Sequence, residues 1–98
     1  MNNKEIRAKL IELQFNVNSE GFDYWITAIE MQGKSTTFYS YSTIGLYKDI
    51  AELYNKTWSR VERAMRHAIR PAKPNIRKKY NYYNKLDTKG IIRLIGGI

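Results

Sequence analysis

Residues 57–70, TWSRVERAMRHAIR, combine four arginines and one histidine with regularly spaced apolar side chains. At about 100° per residue, Val61, Met65 and Ile69 fall on one side of a helix. Thr57 is a favoured residue for the N-cap position in front of such a helix. The basic side chains project from the opposite side: Arg60, Arg63, Arg66, His67 and Arg70. This stretch therefore predicts an amphipathic helix that buries its apolar side and turns its arginines toward solvent.

Another amphipathic helix is predicted just upstream, over residues 44–54, IGLYKDIAELY. Its apolar face consists of four side chains: Leu46, Ile50, Leu53 and Tyr54. Only Asn55 and Lys56 separate this segment from Thr57. Because so short a connection forces two helices to cross at a steep angle, the sequence predicts a helix-turn-helix at residues 44–70.

Two more helices are predicted before this pair. Residues 4–14 and the segment from Ser19 to Gly33 both carry apolar side chains at helical spacing. Residues 34–43, KSTTFYSYST, have no such period and favour an ordered loop, with a short wing-like strand near 35–42 as an alternative. The predicted fold class is therefore all-α, or mainly α: a compact multi-helix domain that contains a helix-turn-helix.

The pattern changes after Arg70. Pro71 and Pro74 interrupt the helical spacing, and the basic, tyrosine-rich residues 75–86 suit either a short helix or an extended arm. Residues 91–95, IIRLI, form a last apolar turn. We therefore divide the chain into a helical domain at residues 1–70 and a basic C-terminal extension of the same domain at residues 71–98.

Charge is distributed unevenly along the chain, whose net charge is +8. Residues 1–56 hold six Lys or Arg against seven acids, a net charge of −1. Residues 57–98 hold eleven Lys or Arg against two acids, a net charge of +9. So strong an excess in one part of a small protein predicts a polyanionic partner, of which nucleic acid is the most common.

A row of arginines on one helix suits the major groove of double-stranded DNA. Arginine donates two hydrogen bonds to guanine O6 and N7, and it also neutralises phosphates. Glu62 and Arg66 are spaced as an i, i+4 ion pair, which is typical of an ordinary surface helix. DNA binding is the preferred interpretation, because surface helices held by salt bridges normally carry as many acids as bases, and this helix has a single Glu.

Three segments carry a family resemblance: GFDYWITAI (21–29), LYKDIAELYN (46–55) and SRVERAMRHAI (59–69). They resemble the C-terminal DNA-binding effector domain of the master sporulation response regulator of endospore-forming bacteria. The resemblance extends from Ile6 to Arg70, and it implies an all-helical domain whose third and fourth helices form the helix-turn-helix. Beyond Ile69 the family continues into further helices, whereas Pro71 and Pro74 intervene in this chain.

The resemblance also implies which side chains face DNA. It assigns base contacts to Arg60, Glu62 and Arg63, with Glu62 accepting from cytosine N4 as the alternative to its ion pair. Contacts to the sugar-phosphate backbone are expected from residues on and beside the fourth helix: Lys56, Thr57, Ser59, Arg66, His67 and Arg70. Contacts from a loop or a C-terminal arm are candidates at five further basic residues: Lys34, Lys73, Arg77, Lys78 and Lys79.

The resemblance is to an effector domain alone, without a phosphoacceptor receiver domain. We therefore expect a freestanding, cytoplasmic transcriptional regulator, or a replication or transfer accessory factor of a plasmid, phage or other mobile element. The expected partner is double-stranded DNA, with a homodimer on DNA as a candidate arrangement. Trp58 stands at the helix start, where the family usually has a small residue.

Several kinds of function are disfavoured by the sequence. With no cysteine and one histidine, the chain has too few nitrogen and sulfur ligands for a typical zinc site. It has no phosphate-cradling Gly-rich loop, and Ser59 and His67 lie too far apart on one helix to act as nucleophile and base. No signal peptide or long apolar run is present. We expect no enzyme activity, metal, cofactor, membrane contact or small-molecule substrate.

Two other functions stay open. Tyr80, Tyr82 and Tyr83 follow a run of basic residues, a combination that suits base stacking with RNA or single-stranded DNA. Packing of these tyrosines against the core is the preferred interpretation. A protein-interaction module is the second alternative, with the apolar residues 91–95 as its contact surface.

Overall fold

The computed structural model describes residues 1–34 and 42–97. Within them lie six α-helices: α1 (Asn3–Glu12), α2 (Glu20–Lys34), α3 (Thr43–Tyr54), α4 (Trp58–Ile69), α5 (Lys73–Tyr80) and α6 (Thr88–Gly96). A single 3-10 turn, Arg70–Ala72, joins α4 to α5. The described ranges contain no β-strand, so the all-α prediction is confirmed. The wing-like strand predicted near 35–42 falls on residues 35–41, outside the described residues, apart from Ser42.

Side-chain caps determine where several helices begin. Asn2 accepts from the Glu5 backbone N–H at 2.8 Å, and the Glu5 carboxylate accepts from the Asn2 backbone N–H at 3.3 Å, which forms a capping box at α1. The Ser42 side chain accepts from the Gly45 backbone N–H at the start of α3, and the Asp87 side chain accepts from the Gly90 backbone N–H at the start of α6. Thr57, predicted as the cap of the arginine-rich helix, accepts from the Arg60 backbone N–H at 3.3 Å. Short polar side chains therefore supply acceptors for backbone donors that have no partner within the helix.

The sequence suggested that the two prolines end the helical structure, but helical structure continues through both of them. Pro71 lies in the first turn of the 3-10 segment, and Pro74 lies in the first turn of α5. Proline is tolerated in a first turn because its missing N–H would have no partner there. The predicted alternative of a short helix after Arg70 is therefore correct, and α5 ends at Tyr80, followed by the cap residue Asn81, whose φ of 50° is left-handed.

One hydrophobic core holds side chains from all six α-helices. Trp25 lies in it with 1% of its surface exposed. The C-terminal part contributes five buried residues to this same core: Ala72, Ile76, Ile91, Ile92 and Ile95. Lys9 of α1 also donates to the Ile95 carbonyl at 3.3 Å. Both parts of the chain that the sequence distinguished, 1–70 and 71–98, therefore share one interior.

Helices α2 and α4 approach each other so closely that only glycine fits at their crossing. A Cβ atom at Gly21 would lie 2.0 Å from the Ala64 carbonyl oxygen and 2.5 Å from its carbonyl carbon. Farther along, the Trp25 indole N–H donates to the Met65 carbonyl at 2.8 Å, in a buried hydrogen bond. These contacts fix the orientation of α4, which carries the arginine row.

Candidate nucleic-acid interface

Helix α4 has the two faces that its sequence predicts. Its apolar side is buried through four side chains: Val61, Met65, Ala68 and Ile69. The arginines lie on the other side, where 56% of the Arg60 side chain and 60% of the Arg66 side chain are exposed. Arg63, His67 and Arg70 are exposed as well. The helix therefore presents a continuous basic surface of about 18 Å, at 1.5 Å per residue.

Helix α3 and the turn after it position α4. Asn55 adopts a left-handed conformation with φ of 56°, and its backbone N–H bonds back to α3. The Lys56 N–H donates to the Ala51 carbonyl at 2.9 Å. Asn is among the few residues other than Gly that adopt this conformation at modest cost, so the turn closes within two residues. This tight connection between two packed helices is the helix-turn-helix that the sequence predicts.

The buried face of α3 differs from the predicted one at two positions, because Tyr47 and Ala51 are buried while Leu53 and Tyr54 are exposed. Leu53 is 67% exposed, whereas Ala51 is buried in its place beside Leu46 and Ile50. Tyr54, also predicted on this face, is partly exposed and shares a 2.7 Å hydrogen bond between its hydroxyl and that of Thr27. The prediction for Leu53 was wrong because the buried residues of α3 place the middle of its inner face about 90° away from Leu53, at about 100° per residue.

The Arg60 side chain forms an ion pair that the sequence gave no reason to expect. Its Nε donates to Glu20 Oε1 at 3.0 Å, and its Nη2 donates to Glu20 Oε2 at 3.2 Å. The hydrogen bonds from Arg60 lower the pKa of the Glu20 carboxyl, and Glu20 in turn raises the pKa of Arg60. In the sequence, Glu20 is one of two acids in the first turn of α2, a position where such residues are common. The two residues are 40 positions apart, so no local pattern links them.

A surface cleft of about 560 Å³ lies beside this ion pair, between the start of α2 and the polar face of α4. Five of the predicted DNA-contacting residues line it: Thr57, Ser59, Arg60, Arg63 and His67. Ser19 and Glu20 form its opposite wall. Lys56 lies next to Thr57 and Arg60 in an adjoining depression. The structure therefore gathers most of the predicted site on one side of the molecule.

Glu62 and Arg66 form the i, i+4 ion pair, with 3.6 Å between Arg66 Nη2 and Glu62 Oε2. Both residues, together with Lys73, line a second cleft of about 310 Å³ on another side of α4. Lys73 is therefore the residue of the predicted arm that the structure places beside α4. The ion pair is open on its outer side, because 60% of the Arg66 side chain is exposed.

Other residues of the predicted arm have contacts within the protein. Arg77 donates through Nη1 to the Asn84 carbonyl at 2.8 Å, so it holds the segment that follows α5. Lys79 pairs with Glu12 of α1 at 3.0 Å. Lys78 is exposed. The helix α2 ends at Lys34, whose side chain lies outside the described part of the chain.

The three tyrosines of the tail do not form one stacking platform. Tyr80 is partly buried and packs against the core. Tyr82 is half-buried, and Tyr83 is 71% exposed. The cationic side chains nearest to them, Arg77 and Lys79, take part in the contacts described above. Packing against the core, the preferred interpretation of the cluster, therefore holds for Tyr80.

Residues 1–34 and 42–97 contain no group of three or more His, Cys, Asp or Glu side chains that could hold a metal ion. None of the helices in the same ranges has the length and apolar character needed to cross a membrane.

The chain matches the sequence model of a known family. The sequence model of the family described as "Sporulation initiation factor Spo0A C terminal" matches residues 6–89. The match runs past Arg70, through the 3-10 turn and α5, to the start of α6. The expectation that the chain departs from the family after Ile69 is therefore wrong, and Pro71 and Pro74 are accommodated within the matched region.

Proposed function

Since the chain belongs to the family of Spo0A C-terminal domains, DNA-binding domains of a sporulation transcription factor, we propose that it is a sequence-specific regulator that reads the major groove with α4. One observation carries the proposal. The apolar side of α4 is buried against α2 and α3, and its arginine side is exposed along the whole helix. A major groove about 12 Å wide admits a helix presented in this manner.

The roles of individual residues follow from their position along α4. In a helix-turn-helix, residues near the start of the second helix reach the base edges. We assign base contacts to Arg60, Glu62 and Arg63, which occupy the first two turns. Backbone contacts are assigned to the residues at the helix start and along its later turns: Lys56, Thr57, Ser59, Arg66, His67 and Arg70. The ion pair joins Arg66 to Glu62 Oε2, so Glu62 Oε1 is the oxygen assigned to cytosine N4.

The proposal is tested by selecting binding sites from random duplex DNA and then measuring affinity by fluorescence anisotropy. If about six phosphates are neutralised, log affinity falls against log salt with a slope of about −5. Enrichment of one motif supports the proposal. No enrichment, together with equal binding to all duplexes, contradicts base readout.

Replacing Arg63 by Ala tests the assignment of base contacts. We expect a loss of about 1–3 kcal/mol on the selected site and a relaxed preference at one base pair. The matched control is Lys4→Ala, which removes one positive charge from the exposed side of α1. The Lys4 variant should change affinity little and leave the sequence preference intact. An equal loss for Arg63→Ala on selected and random duplex would contradict the assignment.

The same experiment separates the other candidates. Single-strand binding through the tail predicts stronger binding to single-stranded than to duplex competitor, and a protein-interaction module predicts no duplex binding at low salt. The half-site spacing in selected sequences reports whether a homodimer binds, because half-sites of a dimer lie about 34–36 Å apart. A role as accessory factor of a plasmid or phage stays a prediction from the resemblance, and the location of matching operators tests it.

A further inference from the structure

The ion pair between Glu20 and Arg60 uses only one edge of the guanidinium group. The carboxylate accepts from Nε at 3.0 Å and from Nη2 at 3.2 Å, which is the side-on arrangement. A guanidinium carries five N–H donors in a planar, rigid fork. The side-on pair takes two of them, so Glu20 does not use the outer edge formed by Nη1 and the second N–H of Nη2.

That outer edge is one that fits guanine. Two parallel N–H groups from Nη1 and Nη2 match the O6 and N7 acceptors of guanine in the major groove. A carboxylate bound to the outer edge would compete with the base for these donors. The carboxylate of Glu20 lies on the inner edge, so it restrains the group and leaves the guanine-binding edge available.

Both ends of the ion pair lie on helices whose relative position is fixed. Glu20 immediately precedes Gly21, which packs against the Ala64 backbone, and Ala64 lies one helical turn after Arg60. The Trp25–Met65 hydrogen bond holds the same two helices a turn farther along. A shift of α2 along α4 would bring backbone into contact with backbone at Gly21. The core therefore fixes the backbone positions from which Glu20 and Arg60 reach each other.

The arrangement has a cost and a benefit for DNA binding. A carboxylate near the phosphates repels every duplex, whatever its sequence. In exchange, a long arginine side chain that is already oriented loses less conformational entropy when it binds. Discrimination between base pairs should then rise relative to general affinity.

We propose that Glu20 is a specificity-determining positioning residue, which holds Arg60 side-on so that its outer edge meets a guanine in the major groove. The inference rests on the proposed function of α4. It adds to that function a residue of α2, outside the helix-turn-helix, as a determinant of base preference.

The experiment uses the full chain and its selected DNA site. The base pair read by Arg60 is first identified as the position at which Arg60→Ala relaxes the preference. Affinities of wild type and Glu20→Gln are then measured for this site, for the site with G·C replaced by A·T at that pair, and for random duplex. A good bidentate contact discriminates by about 5- to 150-fold. In Glu20→Gln we expect this ratio to fall by about threefold or more at that base pair alone, with binding to random duplex unchanged or stronger.

Two controls separate positioning from charge and from folding. Glu12→Gln also neutralises a carboxylate in an exposed ion pair, with Lys79 at 3.0 Å, but on α1. This variant should keep the full discrimination at the Arg60 base pair. In an Arg60→Lys background, Glu20→Gln should have no further effect on the preference, because Lys has no side-on edge to hold. Circular dichroism should show that both Gln variants are folded.

Three results would overturn the inference, and one of them also removes the proposed function. If wild type prefers no sequence, the proposed function fails and this inference fails with it. If wild type discriminates and Glu20→Gln discriminates equally well, Glu20 does not position Arg60. If Glu20→Gln binds the selected site more tightly with an unchanged preference, Glu20 is only a competitor of DNA for Arg60.

Discussion

Replacing Gly21 by Ala should strongly destabilise the fold. The added Cβ would lie 2.0 Å from the Ala64 carbonyl oxygen, about 1.4 Å short of an ordinary contact at 3.4 Å, and 2.9 Å from the Ala68 Cβ. Because the nearest atoms belong to the backbone, no side-chain rotation relieves the overlap. Helix α2 must move away from α4 instead.

The cost follows from what this movement disturbs. Overpacking a tight contact costs about 1–3 kcal/mol. A displacement on the order of 1 Å would also stretch the 2.8 Å hydrogen bond from Trp25 to the Met65 carbonyl, and a buried group left without its partner costs about 1–3 kcal/mol. Ala is favoured over Gly in a helix by about 0.5–1 kcal/mol, which offsets part of this. We expect a net loss of about 2–5 kcal/mol, a large share of the roughly 5–15 kcal/mol typical of a domain.

Gly33→Ala is the matched control, because Gly33 also lies in α2 and its added Cβ would meet no atom of the described residues within 4 Å. This variant should be neutral or more stable by up to about 1 kcal/mol. Urea denaturation followed by circular dichroism measures both free energies of unfolding. If Gly21→Ala were within about 0.5 kcal/mol of wild type, which is the usual range for an unimportant surface change, the tight crossing of α2 and α4 would be refuted.

Three further changes test other parts of the fold. Trp25→Phe removes the donor to the Met65 carbonyl and should cost about 1–3 kcal/mol in urea denaturation; no loss would mean that the buried bond is unimportant. Asn55 has a φ of 56°, and Ala adopts this left-handed conformation less readily than Asn, so Asn55→Ala should cost about 1 kcal/mol, with Asn55→Gly close to wild type. Burial raises the pKa of Tyr47, whose hydroxyl shares a hydrogen bond with Thr88. Since the folded pKa lies above the unfolded one, the stabilisation is complete below about pH 10 and is lost as the pH rises beyond it, and a Tyr47→Phe variant with the same alkaline decline as wild type would exclude this cause.

The helix-turn-helix could be predicted from sequence because each of its signals is local. The spacing of Val61, Met65 and Ile69 determines which side of α4 is buried, whatever it packs against. Thr57 needs only the backbone three residues ahead of it to act as a cap. The two-residue connection likewise limits how α3 and α4 can cross.

Long-range features could not be predicted in this way. The partner of Arg60 lies on another helix, 40 positions away, and nothing near Glu20 in the sequence distinguishes it from an ordinary acid at a helix start. Leu53 has the spacing of a core residue, but the orientation in which α3 packs leaves it at the margin of the buried face, where it is exposed. A proline breaks a helix when it lies in the interior and is tolerated when it lies in the first turn. Pro71 and Pro74 both lie in first turns, and the sequence did not show where those helices begin.

Helix α2 connects stability to the proposed readout. It lies outside the helix-turn-helix, yet it makes the close contact at Gly21, the hydrogen bond from Trp25 and the ion pair of Glu20, all with α4. The first two hold α4 against the core, and the third restrains a side chain that α4 presents to DNA. Because Glu20 and Gly21 are adjacent, any packing change that displaces the start of α2 also displaces the carboxylate that restrains Arg60. Base preference in this protein should therefore depend on core packing as well as on the residues that touch the bases.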